Sequence, residues 1–304
     1  MKNILMSFCC LILTFVSGKA QDIIPLWPQG KMPNSKGLSI KDSISNERLL
    51  QVGVPKIHVF LTSKQENKGA AVLIVPGGGY RHLAYNISGF QLAKWFNTMG
   101  MNAFVLDHRL PWSPDVTERE RVPLQDAQRA MRIIRSKAGE WGIDINKIGA
   151  MGCSAGGHLA ASLGTIKDDF SSFDDALDQY SYRPDFLILV SAVIDMGAYA
   201  HKGSRENLLG PNPSTATIEK YSLQKQVSSY TPPTFIVDAF NDKTVSPMNS
   251  LLFYSALFEN KIPSSLHVFP QGGHGIALRN NPGSTALWVN LCEKWLSETI
   301  LSKN

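Results

Sequence analysis

The alternation of short apolar runs with helix-like segments limits the possible folds of this chain more than any other sequence feature. Most of the runs have little polar alternation, which is typical of strands buried on both faces of a parallel sheet. Strands that alternate with helices of this length indicate a mostly parallel, doubly wound α/β sheet with helices on both faces. The predicted strands are 57–61, 71–75, 103–106, 147–151, 186–190, 234–238 and 265–269, and the predicted helices are 89–99, 122–141, 247–259 and 284–301.

Two segments fall outside this alternation. Residues 192–232 are rich in glycine and proline, and we interpret them as a short cap-like excursion over the carboxyl edge of the sheet, where open α/β folds bind ligands. Residues 21–55 are polar and interrupted by prolines, which predicts an N-terminal arm on the surface of the domain. Residues 56–304 are then expected to form a single α/β domain.

The N-terminus and the charge balance predict where the protein acts and what it does not bind. The 304 residues carry a formal net charge of +5 without a dense Lys/Arg stripe, so nucleic acid is not an expected partner. Residues 1–20 combine Lys2, an apolar run over 4–16 and small residues before Ala20, which is typical of a secretory signal peptide. The run is short for a membrane span, and no later segment is apolar enough to be one. We expect cleavage near Ala20 and export to the periplasm or the exterior, with an uncleaved anchor as the alternative.

The cysteines do not indicate a disulfide scaffold or a metal site. Cys9 and Cys10 lie in the predicted signal peptide, which leaves Cys153 and Cys292 in the mature chain. No CxxC or Cys/His spacing suggests zinc, and both remaining cysteines are predicted to be small buried apolar residues. No metal and no cofactor are therefore expected.

The segment Gly152-Cys153-Ser154-Ala155-Gly156 is a G-x-S-x-G element between a predicted strand and a helix-forming sequence. In such an element the strand turns sharply into a helix, the serine sits at the apex in a strained conformation, and side chains at the glycine positions would collide. This context predicts Ser154 as a nucleophile. The alternative is an ordinary Gly/Ser turn that opens a helix.

A serine hydroxyl needs a general base and an acid that orients it, and the fold predicts the chain order serine, acid, histidine. Asp242 follows the strand 234–238, and His274 lies among glycines after the strand 265–269. We favour Asp242 over Asp238, because Asp238 falls within or at the end of its strand. His158 lies one turn into the helix after Ser154, where a structural hydrogen bond is the expected role.

A glycine-rich loop after an early strand is a candidate for binding the negative charge that develops on an ester oxygen. It reads Pro76-Gly77-Gly78-Gly79-Tyr80, in the position where esterases place backbone donors. Gly78, Gly79 and Ala155 are the predicted donors. A plain turn is the alternative, while a P-loop and a dinucleotide-binding loop are excluded because their further residues are missing.

Taken together, these segments resemble the exported esterases of the α/β-hydrolase superfamily in polysaccharide-degrading bacteria, which are related to acetylxylan esterases and to the hormone-sensitive-lipase branch. The resemblance implies the α/β-hydrolase fold and removal of acetyl groups from sugar hydroxyls without a metal or cofactor. It implies Ser154 as nucleophile, Asp242 as acid, His274 as base, and Gly78, Gly79 and Ala155 as oxyanion donors. The shared segments, within about 70–296, are VPGGGY, AFVLDHRLP, PLQDAQRAMRIIR, GCSAGGHLAASLG, ENLLGPNPS, TPPTFIVDAFNDKTVSPMNS and HVFPQGGHG.

The chain departs from lipase-branch relatives at Pro76, where they carry histidine, and this favours the carbohydrate-esterase side. Cys153 also replaces an aromatic or other residue of many relatives, a change expected to affect packing and not chemistry. Arg109 and Asp126 match recurring positions and are interpreted as a structural pair.

The expected activity is hydrolysis of short-chain acetyl esters on plant polysaccharides or oligosaccharides such as acetylated xylan, or of another small ester. Three alternatives stay open: a serine peptidase of prolyl-oligopeptidase type, a general short-chain carboxylesterase or lipase, and a binding protein on the same scaffold. Polar side chains near the glycine-rich loop and in the excursion are candidate sugar contacts; they are Tyr80, Arg81, His82, Tyr199, His201 and Arg205.

Overall fold

In the computed structural model, which describes residues 22–302, one eight-stranded sheet carries helices on both faces, and two further strands form a separate hairpin. The predicted signal peptide 1–20 lies outside the described residues. The strands are β1 Ile23–Pro25, β2 Ser43–Ser45, β3 Arg48–Gln51, β4 Lys56–Phe60, β5 Ala71–Val75, β6 Asn102–Asp107, β7 Ile148–Cys153, β8 Leu187–Val190, β9 Thr234–Ala239 and β10 Ser264–Phe269. The α-helices are α1 Gln91–Thr98, α2 Val122–Ser136, α3 Ala155–Thr165, α4 Lys202–Leu209, α5 Thr215–Tyr221, α6 Met248–Glu259 and α7 Trp288–Leu296.

The strand order in the large sheet is β1-β4-β6-β5-β7-β8-β9-β10. All pairs from β6 to β10 are parallel, whereas β4 is antiparallel to both of its neighbours, β1 and β6. The predicted fold class is confirmed, and all seven predicted strands occur within about two residues of their predicted ends. The loops after β5, β7, β8, β9 and β10 therefore leave the sheet at its carboxyl edge, which brings residues distant in sequence to one place.

Two core layers cover the two faces of the sheet. In β5 every residue is buried, and alternate side chains enter different layers, because successive side chains of a strand point to opposite faces. Leu73 packs in the first layer, with residues of α2, α3 and α6, and Ile74 packs in the second layer, with residues of α1 and α7. This double burial explains why the strand sequences show little polar alternation.

The predicted helix 122–141 is too long at its carboxyl end. Helix α2 ends at Ser136, and the following residues form a turn in which the Ile143 N–H donates to the Ala138 carbonyl at 2.8 Å. Gly142 adopts φ +62°, a left-handed conformation that glycine accepts without the cost of a Cβ atom. The apolar periodicity continues past the helix because Ala138 is still buried in the turn.

The N-terminal arm also contributes a strand to the large sheet and side chains to the core. Strand β1 pairs with β4 at the edge of the sheet, and Leu26 and Trp27 are buried directly after it. Strands β2 and β3 form a hairpin, and Leu49 in β3 and Val52 directly after it pack in a small apolar cluster with Leu83 and Leu110. These strands have only three or four residues, which is too short for an alternation pattern to be recognised in the sequence.

The excursion 192–232 connects β8 with β9 and contains the two short helices α4 and α5, which the sequence analysis did not predict. Each begins at a side-chain cap, with His201 before α4 and Ser214 before α5. Leu208 and Tyr221 are buried in the first core layer, so the excursion is packed onto the domain. Among residues 22–302, no helix combines the length and the apolar character that crossing a bilayer requires.

Candidate active site

Ser154 stands at a sharp turn between β7 and α3. Its backbone has φ 56° and ψ −125°, a conformation that costs a non-glycine residue on the order of 1–3 kcal/mol and that persists only where surrounding structure imposes it. The turn is imposed by the parallel pairing of β7 with β5 and β8 on one side, and by burial of helix α3 on the other. The serine side chain therefore projects from the carboxyl edge of the sheet.

The flanking glycines are required because backbone atoms pass close to them. A Cβ atom on Gly152 would lie 2.1 Å from the Gly156 carbonyl oxygen, and one on Gly156 would lie 2.2 Å from the Val75 carbonyl oxygen. A Cβ atom on Gly157 would lie 2.5 Å from the Ala192 side chain. The sequence pattern G-x-S-x-G-G thus reflects close packing of the turn against β5 and the start of the excursion.

The structure brings Ser154, His274 and Asp242 together, although His274 is 120 residues from Ser154 and 32 residues from Asp242 in sequence. The His274 Nε2 atom lies 2.9 Å from the Ser154 Oγ atom, and its Nδ1 atom lies 2.7 Å from the Asp242 Oδ2 atom. Because a carboxylate can only accept, His274 donates through Nδ1, and Nε2 is left to accept the serine proton. The arrangement can activate the hydroxyl as a nucleophile.

Asp242 is held as a carboxylate. Burial by itself would raise its pKa, but hydrogen bonds from His274 and from the backbone N–H groups of Val245 and Thr244 keep the pKa below the usual value. The neighbouring loop is also fixed, since the Gly273 N–H donates to the Asn241 Oδ1 atom at 2.8 Å. Asp242 can therefore orient the imidazole and stabilise it when it becomes protonated.

Asp238, the competing acid, lies inside β9 and does not contact His274 by a hydrogen bond. It accepts from the Ser250 hydroxyl at 2.7 Å and from the Ala239 N–H at 2.8 Å. Burial raises the pKa of Asp238 to about 6, although these two hydrogen bonds oppose the rise. Its place in the strand, and not its residue type, keeps it away from the imidazole.

The glycine-rich loop after β5 presents backbone donors beside Ser154. The Gly77 carbonyl accepts from the Ala84 N–H, and the Gly78 carbonyl accepts from the N–H groups of Arg81 and His82. In a trans peptide the N–H points opposite to the carbonyl, so the N–H groups of Gly78 and Gly79 point away from these partners.

Those two N–H groups and that of Ala155 find no acceptor within residues 22–302. Ala155 is the first residue of α3, where the N–H groups of a helix are unpaired and the helix dipole favours negative charge. Gly78 and Gly79 border the same cavity as Ser154. Three unpaired donors near one hydroxyl can stabilise an oxyanion.

Tyr80 does not contact the cavity, contrary to its prediction as a sugar contact. Its side chain is 2% exposed, and its hydroxyl lies 2.8 Å from the His158 Nδ1 atom. The His158 Nε2 atom lies 2.9 Å from the Tyr221 carbonyl oxygen, so Nε2 donates and the Tyr80 hydroxyl donates to Nδ1. Burial lowers the pKa of His158 to about 4, which keeps it neutral. As predicted, the role of His158 is structural: it ties the glycine-rich loop to α3 and to the excursion.

A cavity of about 460 Å³ opens at Ser154 and His274, and its other lining side chains fall by chemistry into two groups, here called the apolar wall and the polar wall. One wall is apolar and continues into the second core layer, through Leu92, Met151 and Trp288. The other wall is polar and includes residues of the glycine-rich loop and of α4. The apolar wall includes Ile87, Leu92, Met151, Val190, Ile276, Leu278 and Trp288, and the polar wall includes Arg81, His82, Ser88, His201, Asn207 and Thr244.

Of the other predicted sugar contacts, Arg81, His82 and His201 line the cavity, whereas Tyr199 and Arg205 do not. Tyr199 is 42% exposed, and its backbone N–H and carbonyl are hydrogen-bonded to the side chains of Asp195 and Asn249. The Arg205 guanidinium donates to the Met196 carbonyl at 3.3 Å.

Sequence reasoning missed the apolar wall and Asn207. The Asn207 side chain borders the cavity and donates to the Gly79 carbonyl at 2.8 Å, which ties α4 to the glycine-rich loop. Asn207 lies in the recognised segment ENLLGPNPS, but that segment carried no predicted role. The apolar wall residues come from four separate parts of the chain, so no local motif marks them.

Of the two cysteines among the described residues, only one is a core residue. Cys292 is fully buried, but Cys153 borders the cavity next to Ser154. Burial raises the pKa of the Cys153 thiol to about 12, so the thiol is neutral and behaves as a small apolar group. Across the described part of the chain, no three or more His, Cys, Asp or Glu side chains form a group that could hold a metal ion.

The parallel sheet, the serine turn and the loop order after β5, β7, β9 and β10 define an α/β hydrolase. More specifically, the chain belongs to the BD-FAE family, since the sequence model of that family matches residues 57–257. The predicted resemblance to α/β-hydrolase esterases related to acetylxylan esterases is confirmed by this match and by the relatives that follow.

Two curated relatives share more than a third of their aligned residues with this chain. One is "Endo-1,4-beta-xylanase B" of Butyrivibrio fibrisolvens, 39% identical over 228 residues, which are 75% of this chain and 35% of that protein. The other is "Acetylxylan esterase" of Xylanibacter ruminicola, 36% identical over 212 residues, which are 68% of this chain and 41% of that protein. The chain thus spans well under half the length of either relative.

A solved structure matches nearly the whole chain. The acetyl ester-xyloside bifunctional hydrolase of Caldicellulosiruptor lactoaceticus is 36% identical, with a TM-score of 0.78, and the match covers 91% of this chain and 96% of that one. The two chains therefore share their fold over most of their length.

Proposed function

We propose that this protein is a serine esterase that removes short acyl groups, acetyl above all, from hydroxyl groups of plant polysaccharides or oligosaccharides such as acetylated xylan. The observation that carries the proposal is the pair of hydrogen bonds made by His274, one to the Ser154 hydroxyl and one to the Asp242 carboxylate. The names of the relatives, an acetylxylan esterase and an acetyl ester-xyloside hydrolase, support the substrate class.

The proposed reaction proceeds through an acyl-enzyme. His274 takes the proton of Ser154 as the serine oxygen attacks the ester carbonyl, and the N–H groups of Gly78, Gly79 and Ala155 bind the oxyanion. The carbon–oxygen bond to the alcohol then breaks, and the alcohol leaves with the proton from His274. Water, activated by the same imidazole, attacks the acyl group and releases the acid, which restores the serine.

The decisive experiment compares Ser154→Ala with the wild-type protein for acetate release from acetylated xylan, and for hydrolysis of p-nitrophenyl acetate and a peptide anilide. We expect both esters to be cleaved by the wild type, and the variant to lose on the order of a millionfold in rate, because the oxyanion donors alone supply little catalysis. Ser136→Ala, at the last residue of α2 and outside the cavity lining, serves as the matched control.

Two results would contradict the proposal. A Ser154→Ala rate above about a thousandth of the wild-type rate would show that Ser154 is not the nucleophile. Cleavage of the peptide anilide in preference to the esters would favour a serine peptidase of prolyl-oligopeptidase type.

The apolar wall favours a second candidate function, that of a general short-chain carboxylesterase. Side chains such as Leu92, Met151 and Trp288 offer more apolar surface than an acetyl group can cover. Rates on p-nitrophenyl esters of two to eight carbons separate the candidates: a maximum at acetate supports the deacetylase, and a rise to longer chains supports the carboxylesterase.

We further propose that the protein acts after export, in the periplasm or outside the cell, with cleavage near Ala20. Acetylated plant polymers are outside the cell, and the sequence of residues 1–20 supports a signal peptide. N-terminal sequencing of the protein recovered from the expressing cells and from their medium tests this; a retained Met1 would contradict it.

A further inference from the structure

His201 is one of three histidines that line the cavity, together with His82 and His274. It caps the first turn of α4 and borders the cavity together with Ser154 and His274. It has no part in the acyl transfer described above, because among residues 22–302 the hydrogen bond to the serine hydroxyl comes from His274.

The tautomer of His201 is determined by its partners. The Ser204 backbone N–H donates to the His201 Nδ1 atom at 3.2 Å, and the Ser204 hydroxyl lies 2.8 Å from the same atom. A backbone N–H can only donate, so Nδ1 must accept and carries no proton. The proton of the neutral ring is therefore on Nε2. Ser204 is fully buried, which keeps this arrangement in place.

The ring is also kept neutral. Burial, and then the nearby His274, lower the pKa of His201 below the usual histidine value. If Nδ1 were protonated, its N–H would moreover face the Ser204 backbone N–H, and two donors cannot form a hydrogen bond with each other. At neutral pH the His201 side chain is thus a fixed hydrogen-bond donor and not a charge.

The Nε2–H group of His201 has no acceptor among the residues that the structure describes. A half-buried donor that borders a substrate cavity and lacks an acceptor favours a ligand that supplies one, because leaving it unpaired is unfavourable. On the other wall, Ile87 and Trp288 offer no polar atom to the cavity except the indole N–H, which already donates to the Ala277 carbonyl at 2.7 Å. The two walls therefore suit the two halves of an ester differently: the acyl group suits the apolar wall, and a hydroxylated alcohol suits the polar wall.

We propose that His201 is a specificity-determining residue whose Nε2–H donates a hydrogen bond to a free hydroxyl next to the ester on the alcohol side of the substrate. The inference rests on the proposed function and deepens it: the preferred substrate is an ester whose alcohol carries a neighbouring free hydroxyl, as a partly acetylated sugar does.

The test uses three acetyl esters and two variants. The esters are a monoacetylated xyloside with a free hydroxyl beside the acetyl group, its analogue with hydrogen in place of that hydroxyl, and phenyl acetate. His201→Phe keeps the ring volume and removes the donor, and His201→Gln keeps an amide N–H near the position of Nε2. His267→Phe, the same change in the outer strand β10, is the matched control.

The expected results follow from the loss of one hydrogen bond, worth about tenfold in kcat/KM. The wild type favours the hydroxylated ester over its deoxy analogue by about tenfold. His201→Phe loses that preference: its kcat/KM falls by about tenfold more on the hydroxylated ester than on the deoxy analogue or on phenyl acetate. His201→Gln restores a large part of the preference.

An equal loss by His201→Phe on all three esters would overturn the inference, because it would show a structural role. A wild-type protein that does not distinguish the hydroxylated ester from its deoxy analogue would overturn it as well, and this measurement needs no variant that must fold. Absence of acetate release from all three esters, or full activity of Ser154→Ala, would overturn the proposed function and this inference with it.

Discussion

Asp238 is a buried carboxyl group that the proposed reaction does not use. It is fully buried in β9, where burial raises its pKa to about 6. The folded protein therefore holds a proton on Asp238 between the unfolded value near 4 and about 6, and stability falls as the pH rises through this window. Above it, an incompletely compensated charge remains inside the sheet.

We expect Asp238→Asn to be more stable than the wild type at pH 8, by on the order of 2 kcal/mol, because the amide is never charged. The two proteins should differ little at pH 4. Urea unfolding measured from pH 4 to pH 8 checks this. Ser250→Ala is the companion variant: it removes a hydrogen bond to the carboxylate and should move the loss of stability to higher pH. Equal pH dependence of the wild type and Asp238→Asn would contradict the assignment.

At the same scale, His201 and His158 show how a neighbour determines the state of a histidine. A backbone donor at Ser204 leaves the His201 proton on Nε2, and a backbone acceptor at Tyr221 leaves the His158 proton on Nε2 too. His201 borders the cavity and its N–H has no acceptor among residues 22–302, whereas the N–H of His158 donates to a carbonyl within the core. The residue type alone predicts neither outcome.

At the scale of elements, the turn between β7 and α3 depends on glycines that lie against backbone. We expect Gly156→Ala to destabilise the protein by about 1–3 kcal/mol, because its Cβ would lie 2.2 Å from the Val75 carbonyl oxygen and would push α3 away from β5. Esterase activity should fall by more than the loss of folded protein alone would cause, because Ser154 and the glycine-rich loop lie on opposite sides of that contact.

Gly139→Ala is the control for this change, because no atom lies within 4 Å of the Cβ position at this exposed glycine. Thermal unfolding and p-nitrophenyl acetate hydrolysis are the measurements. If Gly156→Ala matched Gly139→Ala in both, the close approach would have no energetic consequence and the explanation of the glycine pattern would be wrong.

The elements themselves were predictable to different degrees. The buried strands β5 to β9 have near-continuous apolar sequences, and their ends were predicted within two residues. Strands β1 to β3 and helices α4 and α5 were missed, because most of their residues are exposed or half-buried and form no apolar run, and these short elements gain their stability from the surfaces on which they pack.

At the scale of the whole molecule, a buried ion pair connects the N-terminal arm to the sheet. The Arg109 guanidinium and the Asp126 carboxylate are 2.7 Å apart and almost fully buried, which confirms the predicted structural pair. The Trp27 indole donates to the same carboxylate at 2.8 Å, and Arg109 donates to the Pro33 carbonyl at 2.6 Å. Residues far apart in sequence thus share one network beneath the arm.

We expect Asp126→Asn to lower the free energy of unfolding by about 3–5 kcal/mol, because it leaves the Arg109 charge buried without its partner. Trp27→Phe should cost about 1 kcal/mol, since it removes one hydrogen bond from a carboxylate that keeps its other donors. Urea unfolding of both variants is the test. If the free energy of unfolding of Asp126→Asn were within 1 kcal/mol of the wild-type value, the ion pair would not be what stabilises the packing of the arm.

The sequence by itself determined the fold class, the chain order of the candidate nucleophile, acid and base, and the glycines that the serine turn requires. These properties follow from local physics: burial on both faces removes polar residues from a strand, and a tight turn against backbone excludes a side chain. Asp242 could be preferred to Asp238 for the same reason, since one residue ends a strand and the other lies within it.

The tertiary structure alone decided which other side chains meet at the cavity. Tyr80 is beside the predicted donors in sequence but is buried under them, and Tyr199 faces solvent, whereas Asn207 and the apolar wall join the cavity without any motif. The order of strands across the sheet, and the packing of the excursion on its edge, place these residues. A sequence records neighbours along the chain, and the contacts at this cavity are between segments that only the folded sheet brings together.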